Sequence, residues 1–164
     1  MSADARALTE LFATASLGSP DKAVGFVMWR VLHRYVREVD RALAPLDLTH
    51  LQFTTLVMAG WLGRAGEPVT QTELARFGDV HPMQVSHMLK ALEAKGMVAR
   101  TRSTSDVRTK HVEVTTAGLA VMRRALPIAI EVQQRVFGEA GSPGGGLLNA
   151  LLHLEEPTPN EATV

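Results

Sequence analysis

The stretch 85-VSHMLKALEAKGMVARTRSTSDVRTKHVEVTTAG-118 decides the fold of this 164-residue chain. Its first part has the apolar period of a short helix, because Val85, Leu89 and Leu92 fall on one face. Two runs typical of strands follow, at residues 97–101 and 111–115, with a polar loop between them. The stretch therefore predicts a helix followed by a β-hairpin.

A still shorter helix precedes this one and meets it at a tight corner. Thr70 and Glu73 form a capping box, in which the two side chains satisfy backbone amides at the start of a helix. Leu74 and Phe77 are the predicted apolar anchors of that helix. Pro82 then suits the first turn of the next helix, where its missing N–H would have had no partner. Two short helices followed by a two-stranded wing predict a winged helix-turn-helix.

Longer helices flank this segment on both sides. The clearest is amphipathic, with apolar residues three or four positions apart from Val24 to Val39. Thr49 and Gln52 form a second capping box before another helix. In all, further helices are predicted over about residues 4–15, 24–44, 49–63, 116–137 and 147–154. The predicted fold class is mainly α with a small β-wing.

Composition excludes several classes of site. The chain contains no cysteine, which removes disulfides, thiolate metal ligands and a thiol redox switch. Aromatic residues make up 5% of the chain, so we expect an aliphatic, helical core. The first residues lack the apolar core of a signal peptide, and no apolar run is long enough to cross a bilayer. We therefore expect a cytoplasmic protein without a cofactor.

The charge is unevenly distributed along the chain. Seventeen basic and seventeen acidic side chains give a formal net charge of zero. The segment from His81 to His111, however, has six basic residues against Glu93 and Asp106, a net charge of +4. Because charges are screened beyond about 8–10 Å in physiological salt, such a cluster attracts phosphates despite distant acids. The basic segment coincides with the predicted helix-turn-helix and wing, which favours a nucleic-acid partner.

The same segment resembles the core of the MarR family (multiple antibiotic resistance regulators). The family's wing carries an Asp-x-Arg motif, which is Asp106-Val107-Arg108 here. Its last strand runs into a threonine-rich helix start before a glycine, here Thr115–Gly118. Leu92, Gly96 and Arg100 also match the usual exit from the family's recognition helix. Outside this winged core the likeness is one of pattern alone.

The resemblance implies a domain organisation. Residues 1–154 would form a single MarR-like domain, in which 49–116 is the winged helix-turn-helix lobe. Helices from both chain ends, in 1–48 and 117–154, would form a dimerisation lobe. The apolar run at Leu147, Leu148, Leu151 and Leu152 supports a covered surface there. Residues 155–164, with two prolines and little to bury, are predicted to be a disordered tail.

The predicted DNA contacts follow from these placements. In this motif the second helix enters the major groove, and Gln84, His87 and Lys90 lie on the face away from the apolar one, where they would read base edges. By resemblance, Arg108 would enter the minor groove and Asp106 would brace the wing. The residues predicted to bind the phosphate backbone are Thr70, Gln71, Thr72, Ser86, Arg100, Arg102 and Lys110.

The predicted function is that of a homodimeric transcriptional regulator, by family habit more often a repressor, that binds a pseudo-palindromic operator. A small aromatic or phenolic effector is expected to release it, with a candidate pocket formed by Trp29, His33, Tyr35, Met58 and Trp61. Ordinary core packing explains these five residues equally well. Two alternatives remain: a winged-helix regulator controlled by a protein partner, and a helical ligand-binding or scaffold protein that has lost DNA binding.

An enzyme is not expected. The run Gly144–Gly146 lacks the following Lys-Ser/Thr of a phosphate loop, and Glu155 and Glu156 adjoin a flexible tail. No nucleophile elbow or His-Glu-x-x-His motif is present. The six histidines lack tight metal spacing, although His33 and His50 could converge, so no metal site is predicted.

Overall fold

A computed structural model describes residues 3–102 and 110–155. The helices in this part of the chain are α1 (Ala5–Ala15), α2 (Val24–Leu43), α3 (His50–Leu62), α4 (Gln71–Phe77), α5 (Pro82–Ala94), α6 (Thr116–Phe137) and α7 (Gly146–Glu155). The strands are β1 (Val69–Thr70), β2 (Val98–Arg102) and β3 (Lys110–Val114). The mainly α fold class with a small β-wing is confirmed. The chain divides into two compact units between Glu38 and Val39.

The first unit contains α1 and most of α2. The Asp4 carboxylate accepts a hydrogen bond from the amide of Arg6 at 3.1 Å and caps α1. A 3-10 turn, Pro20–Lys22, separates the two helices. Both helices carry large apolar side chains that stay exposed, among them Phe12 at 56% and Trp29 at 55%. Large exposed apolar side chains of this kind are typical of interaction surfaces.

The core of the second unit lies where α3, α4 and α5 meet the sheet. Leu56, Leu74, Leu89 and Leu92 are fully buried there, as is Val85 to within 1%. The face of α5 predicted from its apolar period is therefore confirmed. Each of these leucines, fully buried, contributes about 1.5–3 kcal/mol relative to an exposed position.

The prediction that Phe77 anchors α4 is wrong. Its side chain is 53% exposed, whereas Leu74 and Ala75 are buried at 0% and 6%. Successive residues of a helix are about 100° apart, so a face centred between Leu74 and Ala75 leaves Phe77 beyond its edge. In a helix of seven residues, one apolar pair is too little to fix the buried direction from sequence.

The sheet has one strand more than the sequence predicts. Its order is β1-β3-β2, all antiparallel, with Val69 opposite Val112 and Val98 opposite Val114. The two residues of β1 are too few to show a period of two, and the sequence identifies Thr70 as a helix cap and a phosphate contact but not as part of a strand. This extra strand attaches the start of α4 to the wing.

The junction between the wing and α6 explains the Thr-Thr-Ala-Gly motif. Thr115 Oγ1 accepts from the amide of Gly118 at 3.0 Å and donates to the carbonyl of Gly96 at 2.6 Å. The amide of Thr115 donates to Met97 O at 3.1 Å. A Cβ at Gly118 would lie 2.0 Å from that same Met97 oxygen. The glycine is therefore required by close backbone approach.

The remaining predicted helices and the two predicted wing strands agree with the structure in type and nearly in extent. Both capping boxes form, at Thr49 with Gln52 and at Thr70 with Glu73. The long helix α6 continues through Pro127. The predicted disordered tail falls almost wholly outside the described residues. Across 3–102 and 110–155, no helix combines the length and hydropathy needed to cross a bilayer.

Candidate nucleic-acid interface

Helix α5 presents a polar face built from its N-terminal half. His81 caps the helix, since its Nδ1 accepts from the amide of Met83 at 3.2 Å, and Pro82 occupies the first turn. Gln84, His87 and Lys90 are exposed on the side opposite the buried residues. They are thus accessible to a ligand along one edge of the helix. Their contact with bases stays a prediction.

Many of the predicted phosphate-binding residues share one concave surface. A cleft of about 420 Å³ opens between the start of α4, the outer face of α5 and the strands β2 and β3. Its lining residues are Thr70, Gln71, Thr72, Ser86, Lys90, Arg100 and Lys110. All seven are among the twelve residues that the sequence predicts for DNA. Among the described residues that line it are three cationic side chains and no carboxylate, which favours an anionic ligand.

Two residues at the start of α4, the cap residue Thr70 and Gln71, have structural hydrogen bonds of their own. The amide and the hydroxyl of Thr70 both donate to Glu73 Oε2 at 2.7 Å, and these bonds lower the pKa of the Glu73 carboxyl. The Thr70 amide is therefore used by the cap and does not face a phosphate. Gln71 Nε2 donates to the Pro82 carbonyl at 3.1 Å, which joins the two helices of the motif.

Arg100 is also engaged within the protein. Its Nε donates to Glu93 Oε2 at 2.9 Å, its Nη2 contacts the same oxygen, and its side chain is 12% exposed. The hydrogen bonds from Arg100 lower the pKa of the Glu93 carboxyl, so Glu93 stays ionised below the usual range. Glu93 thus holds Arg100 at the edge of the cleft and cancels part of its charge.

The wing tip lies outside the described residues. Asp106 and Arg108, which carry the resemblance in the wing, belong to it. At its base Arg102 pairs with Lys110 across the antiparallel strands, and Lys110 is exposed. Lys110 also lines the cleft.

One residue on this surface was missed by sequence reasoning. Met83 occupies the first turn of α5 and is 63% exposed. It lies beside the residues of this helix that are predicted to face the groove. A methionine is ordinarily assigned to the core. The signal that would have found it is its position, since it lies directly before Gln84 and outside the Val85–Leu89–Leu92 stripe. An exposed apolar side chain here can contact the methyl group of thymine.

The five residues of the predicted effector pocket occupy different surroundings. In the first unit, Trp29 and His33 line a hollow on α2, and their rings lie 4.3 Å apart. In the second unit, Met58 is 8% exposed and packs close to Gly78. Trp61 is 53% exposed, with the Arg64 guanidinium 3.8 Å from its ring. Tyr35 is half-buried, and burial raises the pKa of its hydroxyl.

No group of three His, Asp or Glu side chains suited to a metal ion occurs in the part of the chain that the structure describes. His33 and His50, which the sequence leaves open as a convergent pair, have other contacts. His33 Nδ1 lies 2.7 Å from Trp29 O. The amide of His50 donates to Asp40 Oδ1 at 2.6 Å, and burial lowers the pKa of the His50 ring.

Comparison with known proteins identifies the family. The MarR family model matches residues 48–110, the segment that contains α3, the helix-turn-helix and the start of β3. The regulator YdcH of Bacillus subtilis, described as an HTH-type transcriptional regulator, is 34% identical over 126 residues, which are 77% of this chain and 86% of YdcH. The chain belongs to the MarR family. It is accordingly a helix-turn-helix transcriptional regulator and not an enzyme, which confirms both predictions.

Other members of the MarR family extend the comparison. The HTH-type transcriptional repressor Rv2887 of Mycobacterium tuberculosis is 32% identical over 123 residues, covering 75% of this chain and 86% of its own. A variant of MarR from E. coli, solved with operator DNA, superposes with a TM-score of 0.70 at 25% identity, covering 87% of this chain and all of that one. CouR from Rhodococcus jostii, solved with p-coumaroyl-CoA, has a TM-score of 0.70 at 26% identity and covers 85% and 96%.

Proposed function

We propose that this MarR-family regulator is a homodimeric repressor that binds a pseudo-palindromic operator. The observation that carries the proposal is the single cleft that joins seven of the predicted DNA-binding residues from α4, α5 and the wing strands. The solved complex of the E. coli relative with operator DNA supports the choice of ligand. The protein in Mycobacterium tuberculosis that is named a repressor supports the sign of regulation.

In this proposal α5 is the recognition helix and lies in the major groove. Gln84 would bond adenine, Lys90 would donate to guanine, and His87 would contact the base between them. Lys110 at the base of the wing and Ser86 on α5 would bind the phosphates that border the groove, since both line the cleft. Arg108 would follow the wing into the minor groove.

Two arguments support a dimer: the affinity needed to select one DNA site, and the apolar surface that the chain exposes. One recognition helix rarely gives enough affinity to select a site among the many competing ones of a genome. Both ends of the described chain present apolar side chains to solvent, including Leu11 at 53%, Phe12 at 56%, Leu152 at 49% and Leu154 at 72%. A second copy of the chain would cover them. The half-sites would then be about 34–36 Å apart, one helical turn of DNA.

The proposed effector is an aromatic anion that binds the hollow on α2. This hollow measures about 590 Å³, within the usual size of a small-molecule site. Arg30, Arg34 and Arg37 line it with Trp29 and His33, against one carboxylate, that of Asp21. The p-coumaroyl-CoA bound to the relative CouR has this chemistry. The ligand would release DNA only if it binds the DNA-free state more tightly.

Operator selection tests the proposal as a whole. Random duplexes enriched on the full chain should converge on an inverted repeat, and fluorescence anisotropy should then show binding far tighter than to unrelated DNA, by about a thousand-fold or more. Enrichment without a shared sequence, or equal affinity for all duplexes, would refute specific DNA recognition.

The substitution Lys110→Ala should weaken binding to all duplexes alike. Because Lys110 is assigned to a phosphate and not to a base, its loss should lower the slope of log affinity against log salt by about one. Anisotropy titrations of operator and unrelated DNA at four salt concentrations measure this. A changed base preference with an unchanged slope would contradict the assignment.

The substitution Arg34→Ala should weaken effector binding about tenfold or more, because it removes a cation from the hollow. Isothermal titration with p-coumaroyl-CoA, and with a simple aromatic acid for comparison, measures the affinity. Arg64→Ala is the control, since that guanidinium stacks on Trp61 in the second unit. Equal losses for both variants, or no binding to the unmodified protein, would contradict the proposed site.

A further inference from the structure

Lys95 terminates the recognition helix and reaches a distant part of the chain. Its Nζ donates to the carbonyl of Asp47, 48 residues earlier, and to Gln52 Oε1 at 2.9 Å. The same Nζ lies 3.2 Å from Asp47 Oδ2. An ammonium group has three N–H donors, and three oxygens surround this one. The donors of Lys95 are therefore used within the protein, and its ammonium group is unsuited to bind a phosphate.

The acceptors of Lys95 are themselves fixed in place. Asp47 adopts a left-handed backbone, with φ of 53°, at the end of the 3-10 turn after α2. Gln52 Oε1 also accepts the amide of Thr49 at 3.3 Å, as part of the capping box of α3. Asp40 on the last turns of α2 binds the amide of His50. The α2–α3 junction is thus a defined platform for the end of α5.

The ion pair between Lys95 and Asp47 adds little to folding stability by itself. The Asp47 side chain is 83% exposed, and exposed ion pairs contribute little to folding. A lysine at the end of a helix usually interacts with the carbonyls of its own last turn. Lys95 instead joins the C-terminal end of α5 to another pair of helices.

We propose that Lys95 is a positioning residue for operator recognition. By holding the C-terminal end of α5 on the α2–α3 junction, it sets the angle at which Gln84, His87 and Lys90 at the other end meet the bases. A helix anchored at one end moves most at the other, so a small loss of constraint at Lys95 displaces the reading residues. The inference rests on the proposed DNA-binding role of α5.

The test is Lys95→Met, which keeps the length of the side chain and removes its donors. Anisotropy with the selected operator over a range of salt should show affinity lowered by roughly two- to thirty-fold, the range for residues that act through a network. The salt slope should stay unchanged, because no phosphate contact is lost. Lys110→Met is the control, because Lys110 is the lysine assigned to a phosphate, and its slope should fall by about one.

A double-variant cycle identifies the partner through which Lys95 acts. Asp47→Asn keeps the left-handed backbone, which asparagine tolerates, and removes the carboxylate. The double variant should bind no more weakly than Lys95→Met alone, whereas additive losses would overturn the proposal. Three results for Lys95→Met would also overturn the proposal. They are an unchanged operator affinity, a salt slope reduced by one, and a loss of affinity that disappears once stoichiometric titration corrects for inactive protein. Failure of the unmodified chain to bind any duplex would instead refute the proposed function.

Discussion

In the proposed homodimer, the double substitution Leu11→Glu with Phe12→Glu should prevent association and leave a monomer that no longer selects its operator. Both side chains lie on one face of α1 and are more than half exposed in a single chain, at 53% and 56%. If a second copy covered the helix, two carboxylates there would become buried and unpaired. That costs far more free energy than a single contact in a dimer interface supplies. We expect operator affinity to fall toward the nonspecific level, on the order of a thousand-fold.

Sedimentation velocity and anisotropy measure the two parts of that result. Circular dichroism establishes that the helices are retained. Ala13→Glu is the control, because it adds a carboxylate to the same helix about 160° from Leu11 and about 100° from Phe12, outside the apolar face. A double variant that remains dimeric, or a control that dissociates equally, would contradict the placement of α1 in the interface.

Gly118→Ala should destabilise the second unit, which contains the winged helix-turn-helix, by about 3 kcal/mol. This is the upper end of the range for inserting a methyl group into a packed site. The added Cβ would lie 2.0 Å from Met97 O and 3.0 Å from a methyl group of Val114. The first contact is with backbone, which cannot rotate away. The start of α6 would have to shift, and the bonds that Thr115 makes to Gly96 and Gly118 would be strained with it.

Urea unfolding at one fixed protein concentration measures this change, since the stability of a dimer depends on concentration. Gly25→Ala serves as the comparison: Gly25 lies in α2, and a Cβ there would meet no atom within 4 Å. The free energy of unfolding of Gly25→Ala should rise by about 0.5–1 kcal/mol, because alanine has the higher helix propensity. If Gly118→Ala unfolded at the same urea concentration as the unmodified chain, close backbone approach would not be the reason for the glycine.

The helices could be predicted closely because their signals are local. The capping boxes at Thr49 and Thr70 involve residues three apart, and the buried stripe of α5 recurs within two turns. Such patterns are complete in a short window of sequence. Phe77 and β1 could not be predicted, because a seven-residue helix and a two-residue strand are too short to define a period.

The sequence predicted which residues form the candidate site. It did not predict which of their charges are paired within the protein. The winged helix-turn-helix pattern and the resemblance in the wing were enough to name the seven residues that line the cleft. Met83 was missed because an apolar residue is assigned to the core unless the exposure of its position is known. For the residues of the effector hollow, sequence pattern favoured aromatic side chains, whereas the arginines beside Trp29 became relevant only through their shared surface.

The amino-acid sequence by itself determined where the helices begin and end, which face of α5 is buried and which family the chain belongs to. Only the tertiary structure decided which basic side chains remain available to a ligand. Arg100 is held by Glu93, seven residues away, and Lys95 by oxygens 43 and 48 residues away. Whether a charge is paired depends on neighbours brought together by folding, and separations of that length leave no periodic trace in the sequence.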